Sequence, residues 1–197
     1  MINNKQYTKN GPGHQIKNFL KDKSFDLCIE IGVFEGATSN LIANHLTTSG
    51  KLICIDPLLD TYIVEKLTDD AINHNNTRWK YFQGQYDRFV HNTREHLDSG
   101  RIELIRETSD KAFVELKSLT NVDFCYVDGD HRTNAVLSDG NNCLSVCKSG
   151  GYILFDDYTW KAGGDFDCGK GIDMFIDKNK DRIDVIFKTS QVLVKKL

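Results

Sequence analysis

Residues 27–39 read Leu-Cys-Ile-Glu-Ile-Gly-Val-Phe-Glu-Gly-Ala-Thr-Ser, and a change of pattern within them decides the fold. Leu27, Cys28, Ile29 and Ile31 form an apolar run carrying one acid, Glu30, which is the signature of a buried strand. Gly32 and Gly36 break the run, and residues 37–46 resume with helical spacing. A buried strand, a tight glycine turn and a helix N-terminus form one unit of a parallel α/β sheet. Ligands of such sheets sit in the crevice beyond the carboxyl ends of the strands. A site around this turn needs residues from the ends of other strands to complete it.

The chain has 197 residues, enough for one domain with a full core, and 40% hydrophobic with 27% charged residues is a globular composition. A net charge of −3, with no Lys/Arg cluster at either end, gives no electrostatic footprint for nucleic acid. No apolar run reaches the length of a membrane span, and the start MINNKQYTKNGPGHQ lacks the apolar stretch of a signal peptide. A cytoplasmic protein with no membrane partner is expected. The six cysteines contain no C-x-x-C pair, and Cys28, Cys54 and Cys125 fall in apolar strand-like runs, so reduced core thiols are the expectation.

In chain order, residues 1–24 form a polar N-terminal segment whose piece 14–22 is amphipathic, with Ile16, Phe19 and Leu20 on one helical face, a helix that caps the sheet or lines the site mouth. Residues 25–197 then read as a single domain. Gly50 stops the first helix, and a strand over 51–55 closes on Asp56-Pro57, where proline prevents further pairing. Residues 58–84 exceed what a β-α unit needs and read as an insertion, a lid or substrate wall. A helix over 86–97 and a strand over 102–105 follow. Thr108-Ser109-Asp110 offers an N-cap for a helix over 111–117. A strand over 122–127 runs into Asp128-Gly129-Asp130-His131, and a helix covers 133–147. Gly150-Gly151 turns into a strand over 152–155 that ends on Asp156-Asp157. Residues 166–171 read as a loop and 172–178 as a helix, and strands 182–187 and 191–195 are close enough to form a hairpin. Alternating strands and helices with a terminal antiparallel pair predict an α/β, Rossmann-like, doubly wound sheet, mostly parallel.

Polar residues recur at the strand ends: Glu30, Asp56, Ser109 with Asp110, Asp128 with Asp130 and His131, and Asp156 with Asp157. One such acid means little, but parallel strands bring their ends to one crevice. The turn Glu30-x-Gly32-x-x-x-Gly36 is not the dinucleotide fingerprint, because Val33-Phe34 occupies the place where a glycine lets backbone approach a pyrophosphate. It is not the G-x-x-x-x-G-K-[ST] loop either. A nucleoside without phosphates tolerates that bulk, and Asp56 is placed to accept both hydroxyls of a ribose.

From here the chain resembles a known family, the class I S-adenosylmethionine-dependent methyltransferases. EIGVFEG resembles their first motif, CIDP their second, and ETSDKAF the segment that closes over the adenine. The resemblance extends from about residue 25 to the C-terminal hairpin and implies the seven-stranded methyltransferase fold. It implies S-adenosyl-L-methionine as cofactor, with Glu30, Gly32, Gly36, Ser39, Asp56, Ser109, Asp110 and Asp128 as the residues that bind it.

YVDGDH and LFDDY place Asp128, Asp156 and Asp157 on neighbouring strand ends, where three carboxylates repel unless a cation joins them. A hard divalent ion, Mg²⁺ first, satisfies them. The arrangement is similar to the metal-dependent O-methyltransferases, of both the catechol type and the type that methylates sugar hydroxyls. That resemblance implies Asp128, Asp156 and Asp157 as metal ligands and His131, three residues after the first Asp, as general base. Asp130 is the alternative base or a substrate contact, and the aromatic Tyr158 and Trp160 suit a sugar ring. An alcohol holds its proton near pKa ~16, a metal-bound oxygen loses it far more easily, and a histidine can then accept it.

The expected activity is therefore metal-dependent O-methylation of a sugar, glycan or other small-molecule hydroxyl. A catechol-type acceptor is the nearest alternative. A nucleic-acid methyltransferase is disfavoured by the acidic charge and by DDYTW standing where amino-methylating enzymes carry [DNS]-P-P-[FYW]. A Mg²⁺-dependent phosphatase using the D-x-D of YVDGDH would leave the glycine turn idle. A homodimer is left open.

Overall fold

The computed structural model describes residues 14–58 and 84–197. Nearly all of the expected 58–84 insertion lies outside the described residues. The elements are α1 (His14–Leu20), β1 (Phe25–Ile31), α2 (Ala37–Ala43), β2 (Leu46–Ile55), α3 (Gln85–Asp98), β3 (Ile102–Ile105), α4 (Ser109–Leu116), β4 (Val122–Val127), α5 (Thr133–Val146), β5 (Cys147–Phe155), β6 (Lys161–Gly163), β7 (Phe166–Asp167), α6 (Cys168–Asn179), β8 (Ile183–Lys188) and β9 (Val192–Lys196). Seven strands form one sheet in the order β3-β2-β1-β4-β5-β9-β8, and β6 pairs with β7 separately. β1 to β5 are mutually parallel, whereas β9 runs antiparallel to β5 and β8 antiparallel to β9. This is the doubly wound sheet with an antiparallel C-terminal pair that the alternation predicts.

Strand side chains alternate between two cores, one on each face of the sheet. Cys28, Leu52, Cys54, Phe124 and Leu154 pack with Ile16 and Leu20 of α1, Ile42 of α2 and Phe89 of α3. Ile29, Ile31, Ile53, Ile55, Cys125, Val127 and Phe155 pack with Phe113 of α4, Leu144 of α5 and Phe175 of α6. Ile16 and Leu20 of α1 thus pack on one face of the sheet. All six cysteines are buried free thiols. Among the described residues no helix is long and apolar enough to cross a membrane.

Three boundaries differ from the expectation, and each time a glycine serves close packing rather than a stop. β2 begins at Leu46, with Gly50 inside it, because a Cβ there would lie 2.6 Å from the Phe25 carbonyl oxygen where the β1–β2 register shifts. β5 begins at Cys147 and passes through Gly151, whose Cβ would lie 2.6 Å from the Cys147 Sγ. α6 starts at Cys168, capped by the Asp167 carboxylate, which accepts from the Lys170 N–H at 2.9 Å. Cβ atoms on Gly169 and Gly171 would lie 2.5 Å from the Tyr158 and 2.6 Å from the Thr133 carbonyl oxygens, so these glycines belong to a tightly packed helix start, not a loop.

The register positions the site. Ile31 pairs with Ile55 and with Val127, Ile55 with Ile105, and Val127 with Phe155, so five parallel strands end in one row. Gly32, Asp56, Arg106, Asp128 and Asp156 are the next residues along that edge. The strand order reverses between β1 and β4, the switch point at which doubly wound sheets bind ligands.

Candidate active site

The glycine turn closes over the end of β1 by backbone geometry that only glycine permits. Gly32 has φ +82° and a Cβ there would overlap the Asp128 carbonyl oxygen, so the absence of a side chain lets the turn lie against the end of β4. Gly36, at φ +85°, starts α2. Phe34 between them also has positive φ, 48°, a strained value for an aromatic residue. The Asp56 carboxylate holds that conformation: Oδ2 accepts from the Val33 and Phe34 N–H groups at 2.8 and 3.3 Å, and Oδ1 from the Leu58 N–H at 2.8 Å. Asp56 is thus at the site edge, as the sequence places it, and also pins the turn.

α3 braces the turn from outside, which the sequence did not disclose. Glu35 is buried and pairs with Arg88 Nε, while Asn92 Nδ2 donates to the Glu35 carbonyl at 2.9 Å. No local pattern links residues more than fifty positions apart, so this clamp has no sequence signal.

Glu30 lies beneath the turn and is fully buried. Burial pushes its carboxyl up to about 8, outweighing the neighbouring Ser39 and the Cys54 thiol that donates to Oε2 at 3.6 Å. Glu30 Oε1 and Ser39 Oγ are buried with no hydrogen-bond partner among the described residues, and a hydrogen-bonding guest or its ordered water would satisfy them. These residues fit the polar end of a bound S-adenosylmethionine. At the other side of the crevice, Ser109 opens α4, and Asp110 Oδ1 accepts from Ser138 Oγ at 3.0 Å. Behind them stands Asp139 of α5, buried, with Oδ1 unpartnered and its carboxyl pushed up to about 7 by burial. Asp139 has no sequence signal beyond being an acid on an apolar helix face.

The second cluster stands at the ends of β4 and β5. His131 Nε2 lies 3.5 Å from Asp128 Oδ1 and 3.3 Å from Asp157 Oδ2, and the three side chains offer donor atoms all within 4.8 Å of one another. Burial pushes Asp128 up to about 7, with His131 opposing and Asp156 and Asp157 adding to the shift. The Asp128 hydrogen bond in turn raises the His131 imidazole above its ordinary value. Burial and then Asp156 raise Asp157. The Asp128 and Asp157 carboxylates fit a hard divalent cation, which takes oxygen donors, with the His131 imidazole beside them.

Other expected residues point elsewhere. Asp156 is not part of that convergence: Oδ2 accepts from the Tyr126 hydroxyl and Oδ1 from the Asp157 N–H at 2.8 Å. Asp130 is turned to Arg132, accepting from its backbone N–H at 3.0 Å and from its guanidinium, which outweighs burial and holds the carboxyl below its usual range. The Tyr158 hydroxyl donates to Asp173 of α6 at 3.2 Å, with Lys188 Nζ above its ring. Trp160 does face the cluster, its ring 4.7 Å from that of His131. Phe166, 43% exposed, stands 6.3 Å beyond Trp160 and extends an aromatic wall. The segment carrying Phe166 is tied to α5, since Thr133 N–H donates to the Asp165 carbonyl at 2.8 Å. Its surroundings of glycine and charge read as a loop, so only the fold reveals Phe166.

Residues 29–158 match the family model described as Methyltransferase domain, and the chain belongs to that family. The matched residues run from within β1 to just past the end of β5 and carry the row of strand ends described above. Among relatives, the chain is 31% identical over 133 residues to an uncharacterized protein of Acanthamoeba polyphaga mimivirus, covering 66% of this chain and 50% of that one. The chain thus spans about half the length of that curated relative. The O-methyltransferase of Bacillus cereus, solved in complex with S-adenosylhomocysteine, superposes with a TM-score of 0.66 at 13% identity, over 98% of this chain and 86% of that one. The O-methyltransferase TomG of Streptomyces achromogenes, involved in tomaymycin synthesis and solved with S-adenosylmethionine, gives 0.61 at 14% identity, over 93% and 77%. At these identities the likeness is one of fold.

Proposed function

We propose that this protein transfers the methyl group of S-adenosylmethionine to a hydroxyl of a sugar, glycan or other small molecule, assisted by a divalent cation, Mg²⁺ first. The observation that carries the reading is the alignment of strand ends, with the glycine turn and Asp56 on one side of the switch point and Asp128, His131 and Asp157 on the other.

The roles follow from the chemistry of each group. Glu30, Ser39 and the glycine turn hold the methionine end of the cofactor, Asp56 its ribose, and Ser109 with Asp110 its adenine. Asp128 and Asp157 would hold the cation, which would supply Lewis acidity toward the acceptor hydroxyl. His131, three residues after Asp128, accepts the hydroxyl proton, which an imidazole can do near neutral pH. Attack of the oxygen on the methyl carbon would form the O–C bond as the C–S bond breaks and S-adenosylhomocysteine leaves, and in-line positioning would supply much of the rate. Trp160 and Phe166 support a ring-shaped acceptor stacked beside His131. The net charge of −3 argues against nucleic acid as the acceptor.

The test is a screen of sugars, catechols and RNA with methyl-labelled cofactor, with and without EDTA, alongside calorimetry with S-adenosylhomocysteine. Asp56→Ala is expected to weaken that binding by about tenfold or more, the loss of hydrogen bonds to a charged group. His131→Ala should lower turnover by about 10²–10⁴. No affinity for S-adenosylhomocysteine would sink the cofactor reading, and full activity in EDTA would sink the cation.

A further inference from the structure

We infer that Asp139 is a positioning residue that makes the cofactor site select adenine: it accepts the Ser109 hydroxyl proton in a hydrogen bond, which leaves Ser109 only lone pairs to offer the exocyclic amino group of the base. This rests on the cofactor reading above, with Ser109 beside the base. Asp139 lies on α5 and is 2% exposed, a carboxyl that neither the glycine turn nor the cluster of Asp128, His131 and Asp157 employs. Its place in the fold is the switch point itself. A Cβ on Gly129, in the turn after β4, would lie 3.5 Å from Asp139 Oδ2 and 3.0 Å from Ile31 Cγ2 at the end of β1.

Two neighbours on α5 address two neighbours at the start of α4. Ser138 Oγ donates to Asp110 Oδ1 at 3.0 Å, and Asp139 faces Ser109, the half-buried first residue of that helix. Burial raises the Asp139 carboxyl to about 7; Ser109 opposes the rise, and the charges of Asp110 and Asp130 add to it. Asp139 Oδ1 is buried with no hydrogen-bond partner among the described residues. A buried acceptor left unpaired costs stability, and a serine hydroxyl is free to rotate, so the Ser109 proton is drawn toward Asp139.

The direction of that one proton decides what the serine can read. A hydroxyl has a single donor and two lone pairs, so once its proton is committed it can only accept. Adenine offers an amino N–H to such an oxygen. Hypoxanthine carries a carbonyl oxygen at the same place, which would meet the serine lone pairs with no proton between them. A site built to pair one polar group rejects the analogue that lacks it, because its own group is then left unpaired. Without Asp139 the hydroxyl turns freely and serves either base.

Calorimetry at pH 8, where the carboxyl is an acceptor, with S-adenosylhomocysteine and S-inosylhomocysteine tests the assignment without methyl acceptor or metal. Wild type is expected to prefer the adenine compound by about tenfold or more, one hydrogen bond against an unpaired oxygen. Asp139→Ala should narrow that preference to within about threefold, Ser109→Ala should do the same, and the double variant should narrow it no further. Asp139→Asn keeps an oxygen for the serine hydroxyl and should retain the wild-type preference. Thermal melts of each variant report its folding. Affinity for both compounds falling by the same factor in Asp139→Ala would make the residue purely structural and overturn the inference. So would a preference in Asp139→Asn as narrow as in Asp139→Ala, or a wild type that binds both compounds equally. An intact preference in Ser109→Ala would overturn the route through the serine, even if Asp139→Ala failed to fold. Wild-type protein that binds neither compound would instead remove the cofactor reading itself, and the inference with it.

Discussion

Glu30 sits in the middle of an apolar strand, which is an unfavourable place for a charge, and the structure answers this by keeping it neutral. Burial raises its carboxyl from 4.5 to about 8. Between those values the unfolded chain ionises the group while the folded chain keeps its proton. Its contribution to stability is therefore complete below about pH 4.5 and is lost as pH rises through about 8. The loss is on the order of a few kcal/mol. Glu30→Gln has no proton to lose, so urea denaturation at pH 5 and pH 8 should show a much flatter dependence than wild type. Parallel curves for the two proteins would mean that Glu30 is ionised in the folded state. An acid in an apolar run was visible in the sequence. Its protonation was not, because that depends on Cys54, Ser39 and the sheet around it.

At the scale of the element, the glycines differ in what they do, and the difference is testable. Gly32 and Gly100 share a left-handed backbone, φ +82° and +72°, but a Cβ on Gly32 would overlap the β4 end while one on Gly100 meets nothing within 4 Å. Gly100→Ala should cost about 1–2 kcal/mol, the conformational term alone. Gly32→Ala adds a backbone collision between β1 and β4 and should exceed about 3 kcal/mol or prevent folding. Thermal melts of the pair decide it, and equal losses would show that crowding at Gly32 is relieved by movement. Reading glycines as stops worked for the first motif. It misplaced the starts of β2, β5 and α6, because Gly50, Gly151, Gly169 and Gly171 are spaces for a neighbouring chain. Nothing local distinguishes the two uses.

Across the whole molecule, the ligand edge of the sheet has a counterpart at its foot. Asp123, 6% exposed at the start of β4, accepts from the Asp26 and Leu27 N–H groups of β1, both at 2.8 Å, and pairs with Lys148 of β5. It joins the three central strands at the end opposite the site. Burial alone would raise its pKa, but Lys148 and the two N–H donors outweigh burial and lower it. Its stabilisation is thus present above the ordinary carboxylate value and lost as pH falls through the lowered one. Asp123→Ala should cost about 2–4 kcal/mol at pH 7, since it leaves two backbone donors without a partner, and the gap to wild type should narrow in acid. Denaturation at pH 7 and pH 3 measures both. A gap that does not narrow in acid would rule out the charged carboxylate as its source.

The sequence by itself determined the alternation of strands and helices, the glycine turn after β1, and the acids after strand after strand. These are local matters: side-chain period, backbone freedom and the chemistry of turns act within a few residues. Only the tertiary structure decided which acids meet. The register that aligns Ile31, Ile55, Ile105, Val127 and Phe155 joins residues far apart in the chain, and it brings Asp128 and His131 to Asp157. The same packing turns Asp156 to Tyr126 and Asp130 to Arg132, and it carries Phe166 beside Trp160. A side chain's partner is set by what the fold places within about 3 Å of it, and no spacing along the chain encodes that distance.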